Sequence, residues 1–221
     1  METGDIFLIT SVINTGNTAW SYCATRSFFS PAQRFEQTLQ TIESIRTLAP
    51  PHTRILFVEC SDISEEMTAT LKSKVDIFLQ TYDDADVRNA CLNSEKKGYG
   101  EAKKTQRAVE YLLSNNIKFN RLFKISGRYF LNSNFDAARY SSETYTFREK
   151  VSGTNSTVVY SVPFCLLEHF YEQIKKVSEV YSRQVIGYEL VLPSFCIPMS
   201  TIKVVGVSGM VAVSTNEFFS A

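Results

Sequence analysis

The most informative stretch of the sequence is Arg121-Leu122-Phe123-Lys124-Ile125-Ser126-Gly127-Arg128-Tyr129-Phe130-Leu131. It begins as an apolar strand, is interrupted at Ser126-Gly127 and continues as an aromatic run. A glycine inside a strand pattern indicates a bulge or a close approach of the backbone. The cations on either side, Lys124 and Arg128, favour an anionic ligand such as a pyrophosphate at the strand end. The alternative is a simple bulge whose cations extend into solvent.

Three further strands are predicted before this stretch, and helices separate them. Residues 5–13, 54–60 and 75–79 are apolar runs of strand length, as expected for strands that are covered on both faces. Ser30 caps a helix that begins at Pro31, and Ser64 precedes a second helix. Such alternation of strand and helix predicts a parallel sheet with right-handed crossovers.

The rest of the chain predicts shorter elements. A helix that begins after Gly100 and runs to about Asn116 precedes the 121–131 stretch. The later elements are strands at 143–147 and 157–161, helices over 163–181 and 187–195, and a hairpin of 201–207 and 210–213 around Ser208-Gly209. The prediction is therefore an α/β fold in a single domain, 1–221. Its mostly parallel central sheet is flanked by helices, with smaller antiparallel additions in the C-terminal half.

The composition excludes several classes of function. The 221 residues include 23 Lys+Arg and 23 Asp+Glu, so the formal net charge is zero and nothing indicates a nucleic-acid-binding surface. No apolar run approaches the ~20 residues that span a bilayer, and the N-terminus lacks the basic region of a signal peptide. Five scattered cysteines without CxxC spacing favour reduced thiols. We therefore expect a cytoplasmic protein without a transmembrane segment.

Polar residues follow several of the predicted parallel strands, and open α/β sheets bind their ligands at that edge. The residues expected to meet there are Thr10-Ser11, Glu59, Lys97-Gly98 and Ser126-Gly127-Arg128. The glycines of 97–100 stand just before a helix, whose first turn offers free N–H groups and a positive dipole to an anion. The sequence therefore predicts an anion-binding site at the carboxyl edge of the sheet.

The one acidic cluster, Asp83-Asp84-Ala85-Asp86, follows the third strand. Two carboxylates two residues apart can share a divalent ion or form hydrogen bonds with a nucleoside. The alternative is a solvated turn, since aspartate is common in turns.

The order of elements and these motifs resemble the GT-A fold of nucleotide-sugar glycosyltransferases over nearly the whole chain. The resemblance implies that the end of the first strand contacts the base of the nucleotide and that Asp83 or Asp84 binds the nucleoside. It also implies that Lys97-Gly98 and Lys104 approach the diphosphate. The donor-binding residues predicted in this way are Thr10, Ser11, Val12, Asp83, Asp84, Lys97, Gly98, Lys104, Ser126, Gly127 and Arg128.

The sequence departs from that family at the end of the fourth strand. The family carries an Asp-x-Asp there, which holds Mn²⁺ or Mg²⁺ on the diphosphate, and this chain has Ser126-Gly127-Arg128 instead. A guanidinium can neutralise a leaving diphosphate through charge-assisted bidentate contacts. We therefore expect transfer that requires no metal. The alternative is that Asp84 and Asp86 bind the ion.

Glu189 is the predicted general base. Gly187-Tyr188-Glu189-Leu190 resembles the acidic helix start that deprotonates the acceptor hydroxyl in inverting members of the family. The resemblance assigns residues 1–131 to the nucleotide-sugar donor and 132–221 to a glycan or lipid-linked acceptor. Two other functions stay open, a non-catalytic nucleotide-sugar-binding module and a sugar nucleotidyltransferase.

Overall fold

The computed structural model describes residues 3–140, 143–150, 156–210 and 218–221. The strands are β1 (Ile6–Ser11), β2 (Arg54–Glu59), β3 (Ile77–Gln80), β4 (Arg121–Ser126), β5 (Tyr129–Leu131), β6 (Tyr145–Arg148), β7 (Val159–Pro163), β8 (Met199–Ile202), β9 (Val207–Met210) and β10 (Phe218–Ser220). The α-helices are α1 (Pro31–Leu48), α2 (Glu65–Lys74), α3 (Ala85–Arg88), α4 (Lys97–Ser114), α5 (Leu167–Arg183) and α6 (Tyr188–Phe195). A π-helical turn, Asn89–Asn93, follows α3.

Seven strands form the central sheet in the order β3-β2-β1-β4-β7-β6-β8. The first four strands of that order are mutually parallel. β7 runs antiparallel to both of its neighbours, and β8 is parallel to β6, so β7 alone among the seven runs in the opposite direction. A separate antiparallel sheet has the order β10-β9-β5. The predicted α/β class with a mostly parallel central sheet is confirmed.

Alternate residues of the central strands pack on opposite faces of the sheet. In β1, Ile6 and Leu8 pack with α4 and α5, whereas Phe7 and Ile9 pack with α1 and α2. The same alternation places Leu122 of β4 on the α4 face, and Lys124, two residues on, lies on that face as well. Each face therefore has its own apolar layer, and the helix layers leave the carboxyl edge of the sheet open.

The starts of α1 and α2 agree with the sequence. The Ser30 side chain accepts a hydrogen bond from the Gln33 amide, and the Gln33 side chain accepts one from the Ser30 amide. These two bonds form the capping box of α1. Ser64 caps α2. The helix predicted to begin after Gly100 begins earlier, at Lys97, so Gly98 and Gly100 lie within the first turn of α4, which has no side-chain cap. None of the described helices combines the length and the apolar content needed to cross a bilayer.

The interruption at Ser126-Gly127 is confirmed, and it transfers the chain from one sheet to the other. The Gly127 amide donates to the Thr10 carbonyl at 3.0 Å, and β5 then joins β9. A Cβ at Gly127 would lie 3.0 Å from Thr38 Oγ1, so the closely packed turn favours glycine. Arg128 therefore emerges at the carboxyl edge, between the two sheets.

The hairpin predicted around Ser208-Gly209 is wrong. Those residues lie inside β9, which pairs with β5 and β10, and β8 pairs with β6 instead. Gly209 faces Tyr129, and a Cβ there would meet the Arg128 carbonyl at 2.5 Å. The glycine thus serves a close approach of two strands rather than a turn. Residues 211–213 of the predicted hairpin lie outside the described residues.

Candidate functional site

Two adjacent cavities open at the carboxyl ends of β1 and β4. The larger has a volume of about 500 Å³ and the smaller of about 70 Å³. Lys97, Glu101, Ser126 and Arg128 line both of them, so they form one continuous depression. Its position is the ligand-binding edge of an open α/β sheet, as the sequence predicts.

The depression is strongly cationic although the chain has no formal net charge. Among the described residues that line it, seven are cations and two are acids. The cations are Arg26, Arg34, Lys96, Lys97, Lys104, Lys124 and Arg128, and the acids are Glu101 and Glu189. Such an excess of positive charge in a concave site attracts an anionic ligand.

Glu101 organises one set of these charges beneath the cavities. Its Oε1 accepts from Thr10 Oγ1 at 2.7 Å and pairs with the Lys124 ammonium, and its Oε2 lies 3.4 Å from Lys104 Nζ. Burial alone would raise the pKa of Glu101, but attraction by Lys124 and Lys104 outweighs it, so the pKa lies far below its usual range. Both lysine side chains are almost completely buried. The three side chains therefore form a buried group in which one carboxylate partly compensates two ammonium charges.

Lys97 and Arg128 form a second, uncompensated set. Neither side chain forms a salt bridge or a hydrogen bond with another described residue, and the Arg128 guanidinium lies 5.3 Å from the centre of the Tyr129 ring. Lys97 reaches solvent, but protein atoms remove much of its hydration. This loss and the neighbouring Arg128 lower its pKa to about 8, against the attraction of Glu189 and Glu101. These two cations are available to a ligand.

The loop between β1 and α1 lines both cavities and is held in place by Arg26. The Arg26 guanidinium donates to the carbonyls of Leu92, Cys91 and Ser94 at 2.6–2.9 Å. It also lies 3.8 Å from the centre of the Trp20 ring, whose Nε1 donates to the Arg26 carbonyl. The loop is thereby attached to the π-helical turn and places Ser21 and Tyr22 in the wall of the larger cavity.

Glu189 lies in the first turn of α6 and lines the larger cavity. Its side chain is exposed, and Thr157 Oγ1 donates to its Oε1 at 3.4 Å. An exposed carboxylate that is oriented by a hydroxyl can accept a proton from a bound ligand. The carboxylate faces the same cavity as Lys97 and Arg128.

The structure brings most of the predicted site residues together. Those that line the cavities are Thr10, Val12, Lys97, Gly98, Lys104, Ser126, Arg128 and Glu189. Ser11 and Gly127 support the site from behind, since the Ser11 carbonyl accepts from Lys104 Nζ at 3.4 Å and the Gly127 amide bonds to Thr10. Gly98 also permits close packing, because a Cβ there would lie 2.7 Å from the Tyr181 ring.

The acidic cluster 83–86 lies outside both cavities. Asp84 is the N-cap of α3, where its Oδ1 accepts from the amides of Asp86 and Val87, and its Oδ2 lies 3.7 Å from Arg107 Nε. Asp83 and Asp86 are exposed. The Asp84 side chain is therefore engaged in local structure, and its contact with a nucleoside stays a prediction.

The residues at the end of β4 do not fit a divalent metal ion. Such an ion needs a cluster of anionic oxygen ligands, whereas Ser126-Gly127-Arg128 presents a cation. Within residues 3–140, 143–150, 156–210 and 218–221, no group of three or more His, Cys, Asp or Glu side chains is arranged to hold a metal.

Several site residues were not predicted from the sequence. Arg34 is buried and its Nε donates to the Val12 carbonyl at 2.6 Å, while Tyr188 lines the larger cavity. Glu101 directly follows the glycine-rich stretch that was predicted to bind an anion, yet an acid was not expected there. The one usable signal was the 3-residue spacing of Glu101 and Lys104, which indicates a helical ion pair.

Comparison with solved structures finds similar folds at low identity. One is a glycosyltransferase involved in the glycosylation of the major capsid of PBCV-1, with 12% identity, a TM-score of 0.49 and coverage of 90% of this chain and 81% of that one. Another is the glycosyltransferase GlyE of Streptococcus pneumoniae TIGR4, with 8% identity, a TM-score of 0.47 and coverage of 91% of this chain and 45% of that one. No protein-family model matches the sequence, and no curated protein matches it.

Proposed function

We propose that this chain is a glycosyltransferase that takes a nucleotide-diphosphate sugar as donor and transfers the sugar without a metal ion. The observation that carries the proposal is the uncompensated pair Lys97 and Arg128 in a cationic depression at the carboxyl ends of β1 and β4. A diphosphate supplies the negative charge that this pair lacks. The helix α4, which begins at Lys97 without a side-chain cap, directs its positive end to the same place.

In this proposal Arg128 takes the place of the metal. Charge develops on the diphosphate as the bond between the sugar and the phosphate oxygen breaks. A guanidinium can contact two phosphate oxygens at once, and Lys97 adds a second positive charge. Preorganised charges of this kind stabilise the transition state most where water is excluded. Thr10 and Ser126, at the ends of β1 and β4, line the path between the base of the nucleotide and the diphosphate.

Glu189 is the proposed general base. Its carboxylate would accept the proton of the acceptor hydroxyl while the hydroxyl oxygen attacks the anomeric carbon of the sugar. Thr157 orients one carboxylate oxygen and leaves the other, Oε2, for the hydroxyl. This arrangement corresponds to an inverting reaction.

The donor site is tested by thermal unfolding with a panel of nucleotide sugars, each measured with Mn²⁺ and with excess chelator. A donor at 100 times its Kd adds about 2.7 kcal/mol to the stability. Trp20, the one tryptophan of the chain, lines the smaller cavity and gives an independent fluorescence signal. We expect one donor to raise the unfolding temperature by the same amount in excess chelator as with Mn²⁺. A shift seen only with Mn²⁺ would contradict metal independence, and no shift with any donor would overturn the donor site.

Glu189→Gln distinguishes an enzyme from a non-catalytic binding module. The amide keeps an oxygen for the Thr157 hydroxyl but cannot accept a proton, so transfer should fall by about 10²–10⁴-fold while donor binding stays unchanged. The measurement is release of nucleoside diphosphate in the presence of acceptor, compared with Glu168→Gln, an exposed acid of the first turn of α5. Equal activity of Glu189→Gln and Glu168→Gln would contradict the role of Glu189 as general base.

A further inference from the structure

The mouth of the larger cavity carries exposed aliphatic side chains, in contrast to its charged interior. Val185 and Ile186, between α5 and α6, are 57% and 39% exposed and line the cavity. Leu190 of α6 is 52% exposed. We call these three residues the aliphatic lip. From the loop before α1, Tyr22 lines the same cavity and is 60% exposed.

The aliphatic lip adjoins the proposed base. Gly187 lies between Ile186 and α6, and a Cβ built on it would be 3.5 Å from Glu189 Oε2 and 3.9 Å from Leu190 Cδ1. The carboxylate oxygen and the aliphatic side chain therefore border the same small notch in the cavity wall. A group that covers Leu190 beside Gly187 therefore lies close to the oxygen that would receive a proton.

We propose that the aliphatic lip binds the alkyl chain of a lipid-linked acceptor. This rests on the proposed function, because it places the acceptor hydroxyl at Glu189. The hydroxyl proton passes to the Glu189 carboxylate, the hydroxyl oxygen bonds to the anomeric carbon, and the bond from that carbon to the diphosphate oxygen breaks. The diphosphate leaves toward Lys97 and Arg128, on the opposite side of the sugar.

The size and chemistry of the lip favour an alkyl chain over other occupants. A stable protein interface buries about 800 Å² on each partner, far more than three side chains offer. A free glycan presents hydroxyl groups and would leave Val185 and Ile186 without an apolar partner. When the acceptor hydroxyl lies at Glu189, an attached alkyl chain can contact these side chains directly. Each methylene that it buries increases the affinity about fourfold.

The test compares three probes with the full chain in the presence of saturating nucleoside diphosphate. The probes are methyl β-glucoside, n-octyl β-glucoside below micelle formation and phenyl β-glucoside, and binding is followed by saturation-transfer NMR. We expect the octyl probe to bind at least about tenfold more tightly than the methyl probe, since burial of two or more methylenes suffices. The alkyl protons of the octyl probe should show the strongest saturation transfer from the protein.

Substitutions in the aliphatic lip test whether the additional affinity of the octyl probe arises there. Val185→Ser with Ile186→Ser should abolish the advantage of the octyl probe. Leu48→Ser is the matched control, because Leu48 is 40% exposed and ends α1 at the opposite edge of the sheet. All three positions are exposed, so the variants should fold as the original chain does.

The outcomes separate this proposal from the one on which it rests. Equal binding of the octyl and methyl probes, or an octyl advantage that survives the double substitution, would overturn the lipid-linked acceptor while the donor-induced stabilisation remained. A preference for the phenyl probe would assign the lip to an aromatic group instead and overturn the proposal too. Failure of every nucleotide sugar to stabilise the chain would overturn the donor site independently of these probes.

Discussion

Four of the seven cations that line the depression form two electrostatic sets. Lys104 and Lys124 are buried and share the Glu101 carboxylate, so their charges are partly compensated within the fold. Lys97 and Arg128 lie in the open part of the site and have no carboxylate partner among the described residues. The first set holds α4 against β4, whereas the second is left for a ligand.

This difference shows why a count of cations near a cavity is a poor guide to what binds there. A buried cation with a carboxylate partner contributes little net charge at the surface, and separation from its partner is costly. An unpaired cation at the mouth keeps its full attraction for an anion. We therefore expect substitutions in the first set to affect stability and substitutions in the second set to affect donor binding.

The largest effect is expected for Glu101→Gln. The change leaves Lys104 and Lys124 buried without a counter-charge, which should lower the free energy of unfolding by about 3 kcal/mol or more. Urea unfolding measures this loss. Glu110→Gln is the control, because its exposed pair with Arg107 should contribute less than about 1 kcal/mol. A loss below about 1 kcal/mol for Glu101→Gln would show that the buried group is not a structural unit.

Arg128→Ala should give the opposite pattern. The loss of one charge-assisted contact weakens binding of a nucleoside diphosphate by about 10–100-fold, and the free energy of unfolding should change by less than about 1 kcal/mol. Calorimetric titration in excess chelator provides the affinity. Arg139→Ala, which removes an exposed cation paired with Asp136, serves as control. If Arg128→Ala bound the nucleoside diphosphate as tightly as the original chain, Arg128 would not belong to a ligand-binding set of cations.

Lys97 should make donor binding depend on pH. Because its pKa is lowered to about 8, its ammonium loses the proton as the pH rises through that value. Less positive charge then faces the diphosphate, so the Kd should increase from pH 7 to pH 9, by at most about tenfold. Lys97→Arg should give a flat profile, since a guanidinium stays protonated over this range. The same pH dependence in both proteins would assign the titration to another group.

The sequence predicted the parts of the site that depend on local order. The polar residues that follow strands predicted its place at the carboxyl edge, and Lys97 and Arg128 were expected there. Glu189 was predicted from the family resemblance instead. Residues such as Lys97 and Arg128 can be found because their position relative to a strand or a helix start is a property of a short segment.

The sequence could not predict contacts between distant segments. Lys124 stands next to the interruption in β4, where it appeared to be a ligand-binding cation like Arg128. Its partner Glu101 belongs to a helix 23 positions earlier, and only the packing of α4 on the sheet brings them together. Arg26 likewise belongs to a polar loop, yet its partners are three carbonyls more than 60 positions later in the chain. Gly209 was interpreted as a turn residue, because its close approach to Arg128 and Tyr129 depends on tertiary structure.

The smallest effect is expected at Asp84, which lies outside the depression. Asp84→Ala removes the N-cap of α3, and this should lower the free energy of unfolding by about 1 kcal/mol. Asp84→Asn should retain most of that stability, because asparagine is an equally good cap. Donor affinity should change by less than about twofold in both variants, since neither removes a group that lines the cavities. A large loss of affinity in both would instead support the nucleoside contact that the family resemblance implies, and the donor site would then extend from Arg128 across the ends of β1 and β2 to the start of α3.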